Sequence, residues 1–404
     1  MSERADIAGL VEVARHLKTP AAIRERCRRL LDKARAGALP HFSLHEEHLP
    51  AIADYVAAVT RENYPDLRIP VHSRFGHFDA GAVNRNAELD RALASANREE
   101  RVRAKLDLVV VSVLLDAGSG PSWTYVEAEG GTYARSEGLA VASFRMFMDG
   151  RFAADPVAPL RADGLGRLSI EELGRGFQVG PHNHLVGLDG RRELLHALSR
   201  VVGRPGDLLD LIRAKARGTD VGAADVLGVI LETLGPIWPG RIILGGINLG
   251  DVWPHASLAD AESPLHEKLI PFHKLSQWLT YSLLPPLEEA GLRVTRLDDL
   301  TGLPEYRNGG LFMDLGVLSL KDPAQAAKTH PASDELIVEW RALTVALLDE
   351  LAPLVRSRLG KSAEELPLAN ILQGGTWAAG RKIAAELRPG GAPPLKVESD
   401  GTVF

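Results

Sequence analysis

Two short glycine-rich segments each place a carboxylate among residues that could bind and act on a polar ligand. In the first, residues 106–127, an apolar run ends on Asp116 and a Gly-Ser-Gly-Pro loop follows. Trp123, Tyr125 and Glu127 then come at alternating positions. An acid beside a flexible loop and two aromatic rings suits acid–base or electrostatic work on a flat or sugar-like ligand. The alternative is that Asp116 caps the next element and Trp123 fills the core.

The second segment, residues 301–318, is denser in polar side chains. Glu305, Tyr306, Arg307 and Asn308 lie between a proline and a Gly-Gly pair. Glycines let a ligand approach the backbone closely. Glu305 and Arg307 would face one cavity if the segment is extended. The alternative is a turn with a surface ion pair, which contributes little to stability.

A third candidate is the start of an apolar helix. Glu339 and Arg341 immediately precede a run that is apolar on all sides. Buried charges need partners. These two residues therefore either form an internal ion-pair network or supply a charge to a site.

A fourth candidate is a glycine-rich helix start. Two glycines and Thr376 precede a predicted helix that carries Arg381 and Lys382 in its second turn. A helix N-terminus with nearby cations attracts phosphate or carboxylate. The Gly-Lys-Ser/Thr order of a P-loop is missing, and a plain capped helix explains the pattern equally well.

Histidines are scattered along the chain. They are His72 and His77 around Arg74, His182 and His184 in Gly-Pro-His-Asn-His, and His273 in a helical polar stripe with Gln277 and Tyr281. None matches a dense metal-binding motif. We therefore predict no metal site, and the sequence assigns no role to His72, His77, His182 or His184.

The elements that must position these residues are mainly helical. Apolar residues at helical spacing predict helices over residues 5–17, 20–36, 50–63, 84–105, 135–150, 191–203, 206–216, 222–233, 266–289, 334–358 and 376–387. We expect the 266–289 helix to bend near Pro271 and to end at Pro285. The run 108–115 fits a buried strand or the last turns of a buried helix, and residues 310–320 fit a hairpin.

Regular βαβ alternation is absent, so we predict a mostly α protein with a few short strands. A linker between independent domains is also absent. We expect one globular unit over residues 1–404, with one lobe of roughly 1–150 plus 334–404 and a second of 151–333.

Composition excludes several classes of protein. A net charge of −6 gives no general attraction to nucleic acid or to an anionic membrane. No apolar stretch reaches the length of a membrane span, and the N-terminal residues lack a signal-peptide pattern, so we expect a cytoplasmic protein. The single cysteine, Cys27, rules out an internal disulfide. Since nicotinamide and flavin fingerprints are missing, we predict no cofactor. The glycine-rich acidic segments suit a small-molecule substrate.

Several segments together resemble the fourth uracil-catabolism protein family of fungi and bacteria. They are residues 115–125 (LDAGSGPSWTY), 135–143 (RSEGLAVAS), 271–282 (PFHKLSQWLTYS), 303–311 (LPEYRNGGL), 380–388 (GRKIAAELR) and 399–404 (SDGTVF). This resemblance implies a role in a non-reductive route that opens the uracil ring while ribose is still attached.

A fainter likeness connects the chain to queuosine-salvage N-glycosidases. Residues 305–307 resemble their Asp-Tyr-Arg segment, residues 338–342 their Glu-Ile-Arg-Ala helix, and residues 135–150 their aromatic-bearing helix. This likeness implies a two-lobed helical architecture related to the DNA-glycosylase (helix-hairpin-helix) fold. Glutamate replaces aspartate at position 305, and Asn-Gly-Gly replaces Pro-Gln after Tyr-Arg. The likeness therefore does not transfer nucleobase specificity.

Together the two resemblances imply hydrolysis of ribosylurea, or of its 5-phosphate, to urea and ribose (5-phosphate). The catalytic candidates are Glu305, then Asp116, with Glu339. The substrate-binding candidates are Trp123, Tyr125, Glu127, Arg135, Glu137, His273, Gln277, Tyr306, Arg307, Asn308 and Arg341, and the phosphate-binding candidates are Arg381 and Lys382. We expect Trp123, directly after a glycine-rich loop, to wall the pocket and to lie outside the deep core.

Two other functions stay open. One is a non-catalytic pyrimidine- or nucleotide-binding protein that assists the ring-opening enzyme. The other is an amidohydrolase acting on an open-chain ureide.

Overall fold

The computed structural model describes residues 2–120, 122–128 and 131–398, and side chains from residue 7 onward. Pro121 of the Gly-Ser-Gly-Pro loop and the closing segment 399–404 lie outside these residues.

The protein is mostly helical, as predicted. The α-helices are α1 (Ser2–Leu17), α2 (Pro20–Arg35), α3 (Leu49–Asn63), α4 (Arg74–Phe78), α5 (Arg85–Ala92), α6 (Arg98–Leu114), α7 (Arg135–Met148), α8 (Ile170–Gly176), α9 (Leu188–Val202), α10 (Leu208–Arg213), α11 (Ala223–Thr233), α12 (Lys274–Glu289), α13 (Tyr306–Asp314), α14 (Glu335–Leu359), α15 (Leu368–Ile371) and α16 (Trp377–Leu387).

The strands are short and pair two by two. They are β1 (Phe42–Leu44), β2 (Thr124–Glu127), β3 (Gly131–Ala134), β4 (Asp220–Gly222), β5 (Ile243–Leu244), β6 (Ile247–Asn248), β7 (Val252–Pro254), β8 (Leu269–Pro271), β9 (Arg293–Thr295), β10 (Leu318–Leu320), β11 (Thr329–Pro331) and β12 (Lys396–Glu398). The antiparallel pairs are β1–β10, β2–β3, β5–β6 and β7–β8, and the parallel pairs are β4–β9 and β11–β12.

The described residues fold as two compact units. The first comprises the chain up to His72 with Gly240–Gln277 and Arg296–Glu398, and the second comprises Ser73–Pro239 with Trp278–Thr295. These bounds do not coincide with the lobes that the sequence suggested. Within the described residues, no helix combines the length and the apolar character that crossing a bilayer requires.

In the first unit, α14 is the central helix and packs against α2 and α3. Asp334 caps its N-terminus, and Gly360, at φ 67°, ends it in the left-handed conformation that glycine adopts without strain. Leu343, Leu347 and Leu351 are fully buried along it. This is the helix predicted over residues 334–358, and the prediction is confirmed.

In the second unit, α6 and α7 pack together and supply much of the core. The apolar run 108–115 belongs to the end of α6 and its cap, so the strand interpretation is wrong and the buried-helix interpretation is confirmed. The predicted helix over 84–105 is broken because Asn97 caps α6 by accepting the Glu100 N–H at 2.9 Å.

Two further expectations are wrong. Pro271 ends strand β8, and α12 begins only at Lys274 and continues through Pro285 and Pro286 to Glu289. Buried neighbours such as Leu284 and Leu287 hold that helix by packing, which outweighs the local effect of proline. The hairpin over 310–320 does not form, because α13 occupies its first half and β10 pairs with the remote β1.

Candidate functional site

Glu305 caps the N-terminus of α13 in the first unit. Its Oε2 accepts the backbone N–H of Arg307 at 3.0 Å, and its Oε1 accepts that of Asn308 at 2.8 Å. Glutamate at this position satisfies two of the N–H groups that a helix start leaves without intrahelical partners. Only 9% of the residue is exposed. Glu305 is therefore a buried carboxylate that backbone dipoles hold, with no arginine or lysine in a described salt bridge to it.

Burial raises the pKa of the Glu305 carboxyl. Lys274, Arg307 and the two backbone N–H groups oppose this shift without overcoming it. Desolvation disfavours the charged form of an acid. The result is a carboxylate that is more basic than an exposed glutamate and therefore a better proton acceptor.

His72 lies in the same region, because Lys274 acts electrostatically on both His72 and Glu305. Burial lowers the pKa of His72 to about 4, and the charge of Lys274 lowers it further, while the hydrogen bond to Gln373 opposes both effects. The imidazole Nδ1 lies 2.7 Å from Gln373 Oε1, and the ring is 6.0 Å from that of Trp377. We call Glu305, Lys274 and His72 the Glu305 cluster.

A π-helical turn, Leu372–Thr376, carries Gln373 and joins α15 to α16. Such turns are rare and are frequent at functional sites. Thr376 Oγ1 and Asn308 Oδ1 are both buried and have no hydrogen-bond partner among the described residues. A buried polar atom without a partner points to a ligand or water that satisfies it.

Close packing fixes the helix that Glu305 caps. A Cβ added at Gly309 would lie 2.8 Å from the Trp340 ring, and one added at Gly380 would lie 2.1 Å from the Arg307 carbonyl oxygen. Both glycines therefore let neighbouring segments approach α13 more closely than any other residue would allow.

Asp116 lies in the second unit and is held differently. Arg74 Nη1 donates to Asp116 Oδ1 at 2.5 Å, and Ser136 Oγ lies 2.7 and 2.8 Å from the two carboxylate oxygens. Ser136 Oγ is also 3.2 Å from His77 Nδ1. We call Asp116, Arg74, Ser136 and His77 the Asp116 cluster.

The loop after Asp116 is fastened by a buried arginine. Arg191, which has no exposed surface, donates to the carbonyl oxygens of Leu115 at 2.9 Å and Gly118 at 3.1 Å, and also to that of Ala117. Burial lowers the pKa of Arg191 to about 10, while Asp116 opposes the shift. Arg191 thus sets the backbone on both sides of Asp116.

The aromatic and acidic residues that follow this loop are structural in their contacts. Trp123 is 1% exposed and donates its indole N–H to the Phe177 carbonyl at 2.9 Å, so the expectation that it lies outside the core is wrong. Tyr125 and Glu127 are buried in β2. Glu127 pairs with Arg85 and Arg145.

The start of α7 carries two more predicted binding residues. Arg135 is exposed, and its backbone has a φ of 55°, in the left-handed region that a residue with a side chain rarely adopts. Glu137 is half-buried in the first turn. Ser136, between them, contacts Asp116.

Glu339 and Arg341 have internal partners in the first unit. Glu339 Oε1 accepts the Phe42 N–H at 2.8 Å, and its Oε2 lies 3.1 Å from His255 Nε2. Arg341 donates from both Nη atoms to Asp251, at 2.9 and 2.8 Å. The structure thus places both residues in buried networks, the first of the two interpretations that the sequence left open.

Of the predicted helical stripe of His273, Gln277 and Tyr281, His273 lies outside the helix, because α12 begins only at Lys274. Gln277 donates to the Thr301 hydroxyl at 2.8 Å and accepts the Thr301 N–H at 2.9 Å. His273, with a φ of 47°, has its Nε2 2.9 Å from the Leu17 carbonyl.

Tyr306 and Arg307 stack at 4.8 Å, and Arg307 donates to the Gly391 carbonyl at 2.8 Å.

Arg381 and Lys382 are exposed on α16. Lys382 pairs with Glu62 at 2.6 Å, and Arg381 lies over the Trp377 ring at 5.5 Å. His182 and His184 are also exposed. Among the described residues, no group of three or more His, Cys, Asp or Glu side chains is arranged to hold a metal ion.

Sequence reasoning missed Arg74, Ser136 and Lys274 as site residues. Arg74 lies in the segment 69–81, whose density of histidine and arginine was the available signal. Ser136 and Lys274 gave no signal of their own, because their roles depend on contacts with remote parts of the chain.

The chain matches known proteins over nearly its whole length. The family described as "Protein of unknown function (DUF1688)" matches residues 16–404. The chain is 42% identical to "Protein urg3" of Schizosaccharomyces pombe over 397 residues, which cover 95% of this chain and 96% of that protein. It is 37% identical to "Uracil catabolism protein 4" of Lachancea kluyveri over 435 residues, covering 96% of this chain and 98% of that protein.

Proposed function

The chain belongs to the DUF1688 family, and we propose that it is an enzyme of uracil catabolism that hydrolyses an N-glycosidic bond. The pathway is supported by the name of the Lachancea kluyveri relative, "Uracil catabolism protein 4". The proposed substrate is ribosylurea or its 5-phosphate. The products are urea and ribose, or ribose 5-phosphate.

The observation that carries the proposed chemistry is the state of Glu305. Cleavage of the bond between the anomeric carbon and nitrogen builds positive charge on the sugar. A buried carboxylate that is not neutralised by a salt bridge can stabilise that charge or take a proton from the attacking water. The raised pKa of Glu305 favours the second role. Water oxygen then bonds to the anomeric carbon, and a proton goes to the departing urea nitrogen.

Two buried polar groups in the same unit as Glu305 could hold a urea leaving group. Urea presents N–H donors and a carbonyl acceptor. Asn308 Oδ1 is a buried acceptor and Thr376 Oγ1 a buried hydroxyl, both without partners in the described part of the chain. These two atoms are our candidates for holding the leaving group. The proposed reaction requires no cofactor.

The proposal extends to the fold and the location. We place the helical architecture with that of the DNA glycosylases, on the likeness of residues 305–307 and 338–342 to queuosine-salvage N-glycosidases. An experimental structure superposed on such an enzyme tests this. We also propose a cytoplasmic location, which cell fractionation tests.

The direct experiment is to incubate the purified protein, in buffer containing a chelator, with ribosylurea and separately with its 5-phosphate. Both products are followed by mass spectrometry. We expect urea and the free sugar in equal amounts, and little reaction of intact uridine. Ammonia without urea would indicate hydrolysis of the urea amide and not of the N-glycosidic bond. Ligand binding with no product from either substrate would contradict an enzyme.

A further inference from the structure

Two arginines without exposed surface lie near one carboxylate in the second unit. Arg74 and Arg191 are each 0% exposed. Asp116 is the carboxylate that acts electrostatically on both. Arg74 forms an ion pair with it, whereas the described contacts of Arg191 go to backbone carbonyls. Two positive charges therefore face one negative charge in a buried region.

An excess buried charge is costly unless a partner compensates it. Arg191 cannot be neutralised by the dipoles of the carbonyl groups alone, although they satisfy its N–H donors. Arg74 and Arg191 together therefore carry more positive charge than Asp116 balances, and a further negative charge beside them would be stabilised.

Arg74 also has a hydrogen-bond donor to spare. Its Nε donates to Ser112 Oγ at 2.7 Å, and its Nη1 donates to Asp116 and to the Ser136 carbonyl at 3.0 Å. Its Nη2 is buried and has no partner among the described residues. Guanidinium N–H groups left unmatched in a protein interior are rare, and this one needs an acceptor.

We infer that the second unit binds an oxyanion of the phosphate type at Arg74. Such a ligand satisfies both requirements, since its oxygens accept from Nη2 and its charge balances the second arginine. A neutral carbonyl would satisfy only the donor. Ser136 lies in the first turn of the 14-residue helix α7, whose N-terminus adds the positive end of a helix dipole.

The cluster is not sealed from solvent. The Asp116 side chain is 11% exposed and Ser136 is half-buried. The inferred site uses neither Arg381 nor Lys382, which the sequence offered as the phosphate-binding candidates. It also does not depend on the reaction proposed above, since binding is measured without turnover.

The first test is calorimetric titration of the wild-type protein with inorganic phosphate, ribose 5-phosphate and ribose. We expect both phosphate-containing ligands to bind, with affinity that falls as salt increases, and ribose not to bind at this site. Tighter binding of ribose 5-phosphate identifies a phosphomonoester as the ligand, and equal binding identifies free phosphate. Absence of phosphate binding by the wild type overturns the inference.

The second test uses variants with opposite expected effects. Asp116→Asn removes the competing negative charge and should tighten phosphate binding by about tenfold. Arg74→Gln should abolish it, and the matched control Arg217→Gln, at an exposed arginine of the same unit, should leave it unchanged. If Arg74→Gln does not fold, the change in phosphate affinity of Asp116→Asn still tests the inference. Weaker phosphate binding by Asp116→Asn, or binding by Arg74→Gln as tight as in the wild type, contradicts the inference.

Discussion

The two units each bury a catalytic-type carboxylate, but they hold it in opposite ways. Asp116 is paired with a buried arginine and a serine hydroxyl. Glu305 is held by two backbone N–H groups at a helix start and is not in an ion pair with a side chain among the described contacts. An arginine partner fixes a carboxylate and balances its charge. Backbone N–H groups at a helix start orient a carboxylate, but they do not balance its charge fully, so burial determines the direction of its pKa shift.

This difference suggests that Asp116 stabilises the fold through its ion pair, whereas Glu305 is available for proton transfer. Removing one member of a buried ion pair leaves the other charge exposed to a low dielectric and destabilises the fold. Changing a helix-capping carboxylate to its amide alters chemistry more than folding. Stability and turnover measurements on the same variants therefore test the contrast.

The largest effect should come from Glu305→Gln. We expect a folded protein whose turnover of ribosylurea falls by roughly two to four orders of magnitude, the range for losing a catalytic acid–base or electrostatic group. Steady-state assays beside a circular-dichroism melt measure both properties. Glu364→Gln, on an exposed glutamate, is the matched control. A near-normal rate in Glu305→Gln would show that the catalytic carboxylate lies elsewhere.

Trp123→Ala should destabilise the second unit severely. The buried indole and its hydrogen bond to Phe177 are lost, at a cost of about 3–5 kcal/mol of unfolding free energy. Denaturant titration of the ligand-free protein measures it. A stable variant with weakened ligand binding would return Trp123 to the pocket-wall role that the sequence suggested.

Asp116→Asn should show the reverse of the Glu305 pattern. Loss of the charge opposite Arg74 should reduce the unfolding free energy by about 3 kcal/mol, while turnover falls by much less than in Glu305→Gln. Urea denaturation and steady-state kinetics on one preparation provide both numbers. If turnover falls as far as in Glu305→Gln with unchanged stability, the contrast between the two clusters fails.

His72 should make stability depend on pH within the Glu305 cluster. Its pKa is about 4 in the folded protein and near 6.5 in the unfolded chain, so the unfolded chain binds more protons between these values. Stability should therefore fall as pH drops from about 6.5 to 4, by up to about 3 kcal/mol. Comparing denaturation of wild type and His72→Gln across this window isolates the effect. Parallel pH profiles for the two proteins would contradict it.

The sequence predicted α14 because its apolar face and its cap are local signals. It missed α13 because Gly309 and Gly310 lower helix propensity, and the reason for one of them, the approach of Trp340, comes from a remote helix. It located Glu305 and Asp116 as carboxylates in glycine-rich segments. It could not foresee that one would meet Arg74 and the other a helix start, since both depend on three-dimensional contacts.

Gly380 has a consequence for any survey of substitutions in this protein. The position where its Cβ would stand is 2.1 Å from the Arg307 carbonyl oxygen, on the first turn of the helix that Glu305 caps. Saturation mutagenesis at Gly380 should therefore find that even the alanine variant is not tolerated, and that the inactive variants are also misfolded. Gly380 would then rank among the positions that tolerate substitution least, although it has no side chain. A ranking by intolerance alone would therefore take a glycine needed for close packing for a catalytic residue.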